Sequence, residues 1–235
     1  MNTFFASKTN DKTLTLNSEE SWHCAKVLRM KAGEMIEVIS GFGSRWQAEL
    51  LEVNEKQTTA FIINEQVDPP RNYYLQVAIA PVKNADRLEW MLEKLTELGV
   101  DRISFLLTKN SERKNVNVFR LNKIIESAVK QSRQSFLPRL DDLLNFESFI
   151  DTFKNSEEAL KLIAHCQPEE KLSLRNINSE VKKFIFLIGP EGDFRKDEIQ
   201  SAIRAGFKPL TLGSSRLRTE TAAIHLASYL RSVFD

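Results

Sequence analysis

The sequence contains very little cysteine: Cys24 and Cys166 are the only two among its 235 residues. They lie far apart, and neither belongs to the closely spaced Cys or His pairs that hold zinc. This argues against a disulfide-stabilised secreted scaffold and against a structural zinc site. We therefore expect that the protein binds no metal and that it functions in a reducing compartment.

Long hydrophobic runs are also missing. No apolar stretch reaches the roughly 20 residues that a membrane-spanning helix needs. The segment from Met1 to Lys8 lacks the basic and apolar regions of a signal peptide. Hydrophobic residues make up 42% of the chain and charged residues 28%, which is typical of a globular protein. We therefore expect a cytoplasmic protein with no membrane partner.

The chain has almost no net charge, +1 in total, but its charge is unevenly distributed. Between Lys109 and Arg139 there are eight basic residues against two acidic ones, and an acidic stretch from Asp141 to Glu158 follows. A basic segment on a nearly neutral protein favours a surface for a polyanion such as nucleic acid. A solvated helix face without a partner is the alternative.

The first 70 residues have the pattern of a small β-barrel. Residues 34–39, 45–53 and 57–63 are predicted strands at the short spacing typical of barrels. Ser18 to Met30 is a predicted helix with Ser18 as its N-cap. The proline-containing segment Asp68–Asn72 interrupts regular structure, so we predict domains at residues 1–70 and 71–235.

Beyond this linker, strand and helix patterns alternate. The predicted strands cover residues 75–80, 102–107, 160–164, 184–188 and 209–212. The predicted helices cover residues 85–98, 118–135, 196–205 and 219–234. This alternation predicts an α/β fold with a mostly parallel sheet covered on both faces.

Two glycine-containing loops follow the last two predicted strands, one at Gly189–Gly192 and one leading from Gly213 into the final helix. The carboxyl ends of parallel strands meet at one edge, so both loops can line one pocket. Their spacing is not that of a P-loop or a Rossmann turn, which argues against a kinase or a dehydrogenase. Glu191 is a candidate for ligand contact or acid–base chemistry.

Arg216 and Arg218 precede a helix whose positive end disfavours them, so contact with an anionic group would explain their position. The helix itself is predicted to be capped by Thr219 or Thr221. The alternative for Glu191 is that it lies in a purely structural turn. The alternative for Arg216 and Arg218 is that both are solvated at the tip of a loop.

Five motifs, read together, resemble those of the bacterial RsmE family, the 16S rRNA uridine N3-methyltransferases of the SPOUT class. The resemblance extends over nearly the whole chain. The motifs are His23–Arg29 with Lys31 and Gly33, Lys94–Val100, Gln131–Ser132 with Pro138, Ile188–Gly192, and Leu212–Gly213 with Leu217–Ala222.

The resemblance implies a PUA-like N-terminal barrel that binds RNA and a SPOUT-type C-terminal sheet with a deep trefoil knot. It also implies a homodimer whose active sites take residues from both subunits. S-adenosyl-L-methionine would be the cofactor, held in the knot by three loops; the loop after Ala164 would include His165 and Cys166. The implied cofactor-binding residues are Ala164, His165, Ile188, Gly189, Pro190, Gly192, Leu212, Gly213, Leu217, Arg218 and Thr219.

For the chemistry, we assign Arg218 to stabilising the charge that develops on uracil when N3 loses its proton, with Arg216 as the second candidate. Glu191 would take that proton or orient a neighbouring group. RNA from the small ribosomal subunit would lie across both domains. The candidates on the barrel are Lys26, Arg29, Lys31 and Arg45, and those on the methyltransferase domain are Arg113, Lys114, Arg133 and Arg139.

The chain departs from the family pattern at Asp193, where the family usually has glycine, and at Lys130 and Arg195. If position 193 requires a positive φ, aspartate tolerates it better than most residues. Three other functions remain open from the sequence. They are a non-catalytic RNA-binding or ribosome-assembly protein, a small-molecule α/β enzyme, and a SPOUT methyltransferase of another RNA site.

Overall fold

The computed structural model describes residues 1–154, 156, 158–178 and 180–234. Contacts between residues divide the chain into two compact units. The first comprises Met1–Pro70 together with Val129–Leu137, and the second comprises Arg71–Ala128 together with the chain from Pro138 onward. The division falls at the proline-containing linker, and the segment Val129–Leu137 groups with the first unit.

The first unit is a closed barrel. Its strands are β1 (Thr3–Asn10), β2 (Thr13–Leu16), β3 (Met35–Ile39), β4 (Ser44–Glu52) and β5 (Thr59–Val67). They follow the order β1-β2-β5-β4-β3, and a parallel pairing of β1 with β3 closes the ring. Strand residues alternate between the two faces, and the inward-facing Phe4, Leu14, Ile36 and Leu50 form the buried centre.

The helix predicted at Ser18–Met30 is shorter and differently capped. Helix α1 covers Ser18–Trp22 and continues into one π-helical turn at His23–Val27. Asn17 is the N-cap instead of Ser18, because its side chain accepts a hydrogen bond from the Glu20 backbone N–H. Arg29 ends the turn with a positive φ of 53°, which a helix cannot continue through.

The second unit contains a parallel sheet of seven strands within the described ranges. These are β6 (Tyr74–Ile79), β7 (Arg102–Leu107), β8 (Arg139–Asn145), β9 (Leu160–Ala164), β10 (Leu172–Ser173), β11 (Lys183–Ile188) and β12 (Lys208–Thr211). Their order is β10-β12-β9-β11-β6-β7-β8. Because the paired strands run in one direction, their carboxyl ends share one edge.

Helices cover the sheet. They are α2 (Ala85–Glu97), α3 (Val118–Gln131), α4 (Phe146–Asp151), α5 (Lys196–Arg204) and α6 (Thr219–Phe234). Helices α4 and α5 pack against each other, while α6 packs on α2, β6 and β11. The central strand β11 is buried along nearly its whole length, as expected for a strand covered on both faces.

The predicted elements did not include strand β8, helix α4 or strands β1, β2 and β10. Strand β8 lies at the start of the acidic stretch, where Asp141 and Asp142 interrupt the alternation of apolar and polar residues that predicts a strand. Helix α3 ends at Gln131 instead of Ser135, and Arg133 has a φ of 53° just beyond it. In the described ranges, no helix is long and apolar enough to cross a membrane.

Candidate active site

A cavity of about 870 Å³ lies where β9, β11 and β12 end. The segments that follow these three strands form its walls. Every residue assigned to cofactor binding from the sequence lines this cavity, and so do the catalytic candidates Glu191, Arg216 and Arg218. The tertiary structure thus brings together side chains that are up to 55 positions apart in sequence, from Ala164 to Thr219.

The Gly189–Gly192 loop depends on a glycine at its first position. A Cβ atom on Gly189 would lie 3.1 Å from both the ring and the backbone nitrogen of Phe194, which is buried. The loop closes through a hydrogen bond of 2.9 Å from the Asp193 N–H to the Pro190 carbonyl. Asp193 has a φ of 63°, so this position does require the positive φ considered in the sequence analysis.

The loop after β12 is joined to the loop after β11. Gly213 has a φ of 127°, a conformation that side chains disfavour. Helix α6 begins after Arg218, whose carbonyl accepts the Ala222 N–H. The Thr219 hydroxyl does not cap the helix as predicted but donates to the Gly189 carbonyl at 3.0 Å, in a buried position. This bond joins two walls of the cavity directly.

Glu191 is exposed at the cavity and holds a third segment. Its carboxylate accepts the Lys83 backbone N–H at 3.0 Å, in the segment that follows β6. Arg113 donates to the carbonyls of Val82 and Lys83 at 2.9 and 2.6 Å. The segment that follows β6 is therefore held from two sides.

His165 contributes mainly to the shape of its own loop. Its side chain is buried, and burial together with the charge of Lys171 lowers the pKa of the imidazole, which is therefore neutral at pH 7. The Nδ1 atom accepts the Gln167 N–H, so the proton lies on Nε2, 2.9 Å from a Glu169 oxygen but outside hydrogen-bond geometry. The Lys171 ammonium donates to the His165 carbonyl at 2.6 Å.

The basic candidates on the barrel differ in what they contact. Arg45 is largely enclosed, because it pairs with Glu37 and Asp68 and donates to the Arg133 carbonyl at 2.7 Å. Lys26 is exposed and pairs with Glu55, while Arg29 and Lys31 are exposed. The guanidinium of Arg45 therefore holds the barrel together, whereas the other three face solvent.

The remaining basic candidates also divide into two groups. The Arg113 guanidinium is engaged by the backbone near Lys83. Lys114 is exposed, and Arg139 pairs with Asp141 while 72% of its side chain remains exposed. Arg133 was predicted on the methyltransferase domain, but it groups with the barrel unit. Its side chain is also exposed.

Two residues that hold the loops, Asn110 and Glu198, are not marked by any sequence motif. Asn110, just beyond β7, donates to the carbonyls of Gly192 and Asp193 and accepts from Arg195. The buried Glu198 accepts the Lys109 N–H at 2.8 Å. No local motif marks Asn110; its position directly after a strand of the same sheet was the available signal. The described residues contain no cluster of three potential metal ligands.

The fold and site together define a class of protein: an α/β domain with a loop-lined ligand cavity at its strand ends, accompanied by a small barrel. Residues 69–231 match the family model described as an RNA methyltransferase domain. Residues 16–63 match the model described as an RNA methyltransferase PUA domain. The chain belongs to this RNA methyltransferase family, and the predicted enzyme class and fold class are confirmed.

Relatives of known name agree with this assignment. The chain is 28% identical to the ribosomal RNA small subunit methyltransferase E of Buchnera aphidicola from Acyrthosiphon pisum, over 93% of the chain and 87% of the relative. It is 27% identical to the enzyme of that name from Bacillus subtilis, over 92% and 88%. The resemblance to the RsmE family inferred from the motifs is thereby confirmed.

Solved structures show the same architecture. A probable rRNA methyltransferase from Porphyromonas gingivalis superposes with a TM-score of 0.87 and 34% identity, covering 100% of this chain and 98% of that one. The small subunit methyltransferase E from Neisseria gonorrhoeae, bound to S-adenosyl methionine, gives a TM-score of 0.87 and 26% identity, with coverage of 100% and 98%.

Proposed function

We propose that this protein methylates N3 of a uridine in the RNA of the small ribosomal subunit, with S-adenosyl-L-methionine as the methyl donor. The observation that carries the proposal is the convergence of three strand-end loops on one cavity in a chain of the RNA methyltransferase family. The names of the relatives support the RNA substrate, and the Neisseria gonorrhoeae complex supports the donor. The choice of N3 rests on the RsmE resemblance.

The cavity fits the proposed donor. Its volume of about 870 Å³ lies within the range of about 300–1,000 Å³ typical of small-molecule sites. Ile188, Leu212 and Leu217 provide apolar lining suited to an adenine ring, and the loop backbones provide N–H and carbonyl groups. When bound, S-adenosyl-L-methionine supplies a methyl group on an already activated sulfonium, so the protein's contribution is positioning and charge stabilisation.

Arg218 is assigned to the charge that develops on uracil. Loss of the N3 proton places negative charge on the flanking carbonyl oxygens, and a guanidinium donating to one of them stabilises it. Arg218 is exposed at the cavity, so its side chain is accessible to an incoming base. One oxygen of Glu191 accepts the Lys83 N–H, and we assign the other oxygen, Oε2, to accepting the N3 proton.

RNA binding is assigned to the basic side chains that face solvent, since phosphate contacts require accessible charge. Lys26, Arg29 and Lys31 form this group near the start of the chain, and Lys114, Arg133 and Arg139 complete it. Arg45 and Arg113 are assigned to structure, because their guanidinium groups are already engaged. The barrel acts as the RNA-binding domain in this proposal.

A homodimer is part of the same proposal and rests on the SPOUT resemblance. Cytoplasmic location follows from the substrate, because ribosomal RNA is matured where ribosomes are assembled. Sedimentation of the purified protein at micromolar concentration tests the dimer. A monomer under conditions that support full activity would overturn it.

The activity is tested with S-adenosyl-L-methionine carrying a tritiated methyl group and small-subunit RNA isolated from cells lacking this modification. Incorporation of tritium, with the methyl group located at uridine N3 by mass spectrometry, is the expected result. Incorporation at another atom or another RNA would assign a different methyltransferase. Binding of RNA without incorporation would leave a non-catalytic RNA-binding protein.

The role of Arg218 is tested with Arg218→Ala. We expect kcat to fall roughly 100-fold or more, as is typical when a donor to a developing oxyanion is removed, with cofactor affinity nearly unchanged. Arg175→Ala, a change of an exposed arginine that does not line the cavity, is the matched control and should methylate normally. An Arg218→Ala enzyme that methylates at the wild-type rate would show that the assignment is wrong.

A further inference from the structure

We infer that Asp193 is a positioning residue that fixes the Ala164–Gln167 wall of the cofactor cavity. The inference rests on the proposed function, because it takes the cavity to be the place where the cofactor binds. Asp193 lines the cavity, but its side chain is directed to backbone groups of two protein segments.

The backbone at Asp193 favours glycine. With a φ of 63°, the residue adopts the left-handed conformation that glycine enters without steric cost and other residues avoid. Because Asp193 carries a side chain despite this backbone conformation, we infer that the contacts of its carboxylate compensate for the backbone strain.

Both carboxylate oxygens of Asp193 accept backbone N–H groups. Oδ2 accepts from Cys166 at 2.9 Å, which links the loop after β11 to the loop after β9. Oδ1 accepts from Phe194 at 2.9 Å. Hydrogen bonds from N–H groups to an ionised carboxylate are stronger than those between neutral groups. The carboxylate thus acts as a bridge between two walls of the cavity.

Asp193 is itself held in place, which makes it an effective anchor. Its N–H donates to the Pro190 carbonyl at 2.9 Å, and its carbonyl accepts from the Asn110 amide at 3.0 Å. Asn110 in turn is contacted by Arg195. The backbone of Asp193 is therefore held by residues of the loops after β7 and β11, and its side chain is positioned to bind Cys166.

Ala164 ends β9 and is held by its sheet neighbours Ile188 and Leu210, but the bonds described for His165 and Gln167 are local in sequence. The Gln167 N–H donates to the His165 ring, and Lys171 donates to the His165 carbonyl. Without the Asp193 bridge, the cofactor would have to order this wall on binding, and that ordering reduces affinity. The expected consequence is weaker cofactor binding with little change in the chemical step.

The decisive variant is Asp193→Gly, which removes the carboxylate and leaves a backbone suited to the positive φ. We expect the Kd for S-adenosyl-L-methionine and its KM to rise about tenfold, the effect of losing one charge-assisted hydrogen bond. We expect kcat to stay within about twofold, and the melting temperature to stay equal or rise. Asp193→Asn keeps one acceptor oxygen and tolerates this φ, so it should recover part of the affinity.

The matched control is Asp197→Asn. It removes a carboxylate from the same segment, where Asp197 is exposed, pairs with Lys109 and does not line the cavity. Affinities are measured by calorimetry. Hydrogen exchange of the Cys166 and Gln167 amides in the cofactor-free protein reports the bridge itself. It should be faster in Asp193→Gly than in the wild type and unchanged in Asp197→Asn.

Cofactor binding by the wild type and by Asp193→Gly distinguishes failure of the proposed function from failure of the Asp193 bridge. If the wild-type protein takes up no S-adenosyl-L-methionine, the proposed function falls, and the inference with it. If the wild type binds and Asp193→Gly binds within twofold of it, with unchanged exchange at Cys166, the inference alone is overturned. A parallel loss of kcat, melting temperature and affinity in Asp193→Gly would also overturn it, since that pattern belongs to general destabilisation.

Discussion

The substitution Asp141→Asn should destabilise the sheet of the second unit strongly. Asp141 is only 8% exposed and lies on β8, at the edge of the sheet. Its two oxygens accept from Arg102 at 2.7 and 2.9 Å, and Oδ2 also accepts from Ser104 at 2.6 Å. Ser104 in turn accepts from the buried Gln76. The substitution would remove the charge at the centre of this network.

Breaking a buried ion pair by removing one partner costs about 3–5 kcal/mol. Arg102 retains 32% side-chain exposure, so water can partly solvate the guanidinium left behind. We therefore expect a loss of about 2–3 kcal/mol in the free energy of unfolding. For a domain of this size, that loss lowers the melting temperature by roughly 5–10 °C.

Differential scanning calorimetry of the full chain measures the effect. Asp142→Asn is the matched control, because Asp142 is the next residue along β8 and is exposed. The control should melt within about 1 °C of the wild type, as is usual for exposed substitutions. If Asp141→Asn and Asp142→Asn had the same melting temperature, the buried hydrogen bonds of Asp141 would not contribute to stability.

The same network predicts a pH dependence. Burial raises the pKa of Asp141, but hydrogen bonds from Arg102 and Ser104 outweigh it, and the pKa lies below its usual value of 3.8. A depressed carboxyl pKa contributes stability above the unfolded-state pKa and loses it as the pH falls through the folded-state pKa. The stability difference between wild type and Asp141→Asn should therefore persist down to about pH 4 and narrow below it.

Two further predictions concern backbone positions. Gly189→Ala should lower the free energy of unfolding by about 1–3 kcal/mol, because the added Cβ would lie too close to Phe194. Gly192→Ala is the control and should cost much less, because its Cβ would lie at an ordinary contact distance of 3.5 Å from Asn110. Equal melting temperatures for the two variants would contradict this prediction. Arg133→Gly places glycine at a positive φ and should therefore melt no lower than the wild type. It should bind ribosomal RNA more weakly, and the dependence of log affinity on log salt concentration should have a slope smaller by about 1. Unchanged RNA binding would show that Arg133 does not contact the RNA.

Much of the second unit could be predicted from the chain itself. The strand at Arg102–Leu107 and the helix at Thr219–Phe234 have the predicted bounds, because each has a strong local pattern and a clear stop. Strand β8 could not be predicted, since Asp141 faces inward where alternation calls for an apolar residue. Its partners make that position favourable: Arg102 and Ser104 on another strand, together with Arg139 on β8 itself.

The candidate site divides in a similar way. Glycines and apolar runs near the carboxy end identified two of the loops that line the cavity, since strand, turn and helix signals act over a few residues. The third loop, after Ala164, followed only from the RsmE resemblance. The roles of individual charged side chains did not follow from them. Arg45 and Arg113 had the charge expected of RNA contacts, but both are engaged with groups from distant parts of the chain.

Local chemistry therefore specified the alternation of strands and helices and the glycine-bearing loops, because these depend on neighbours along the chain. The bonds between loops, such as Thr219 to Gly189 and Asp193 to Cys166, exist only after folding. They depend on which strands become neighbours in the sheet. Packing over long sequence separations decides that order, and no short segment encodes it.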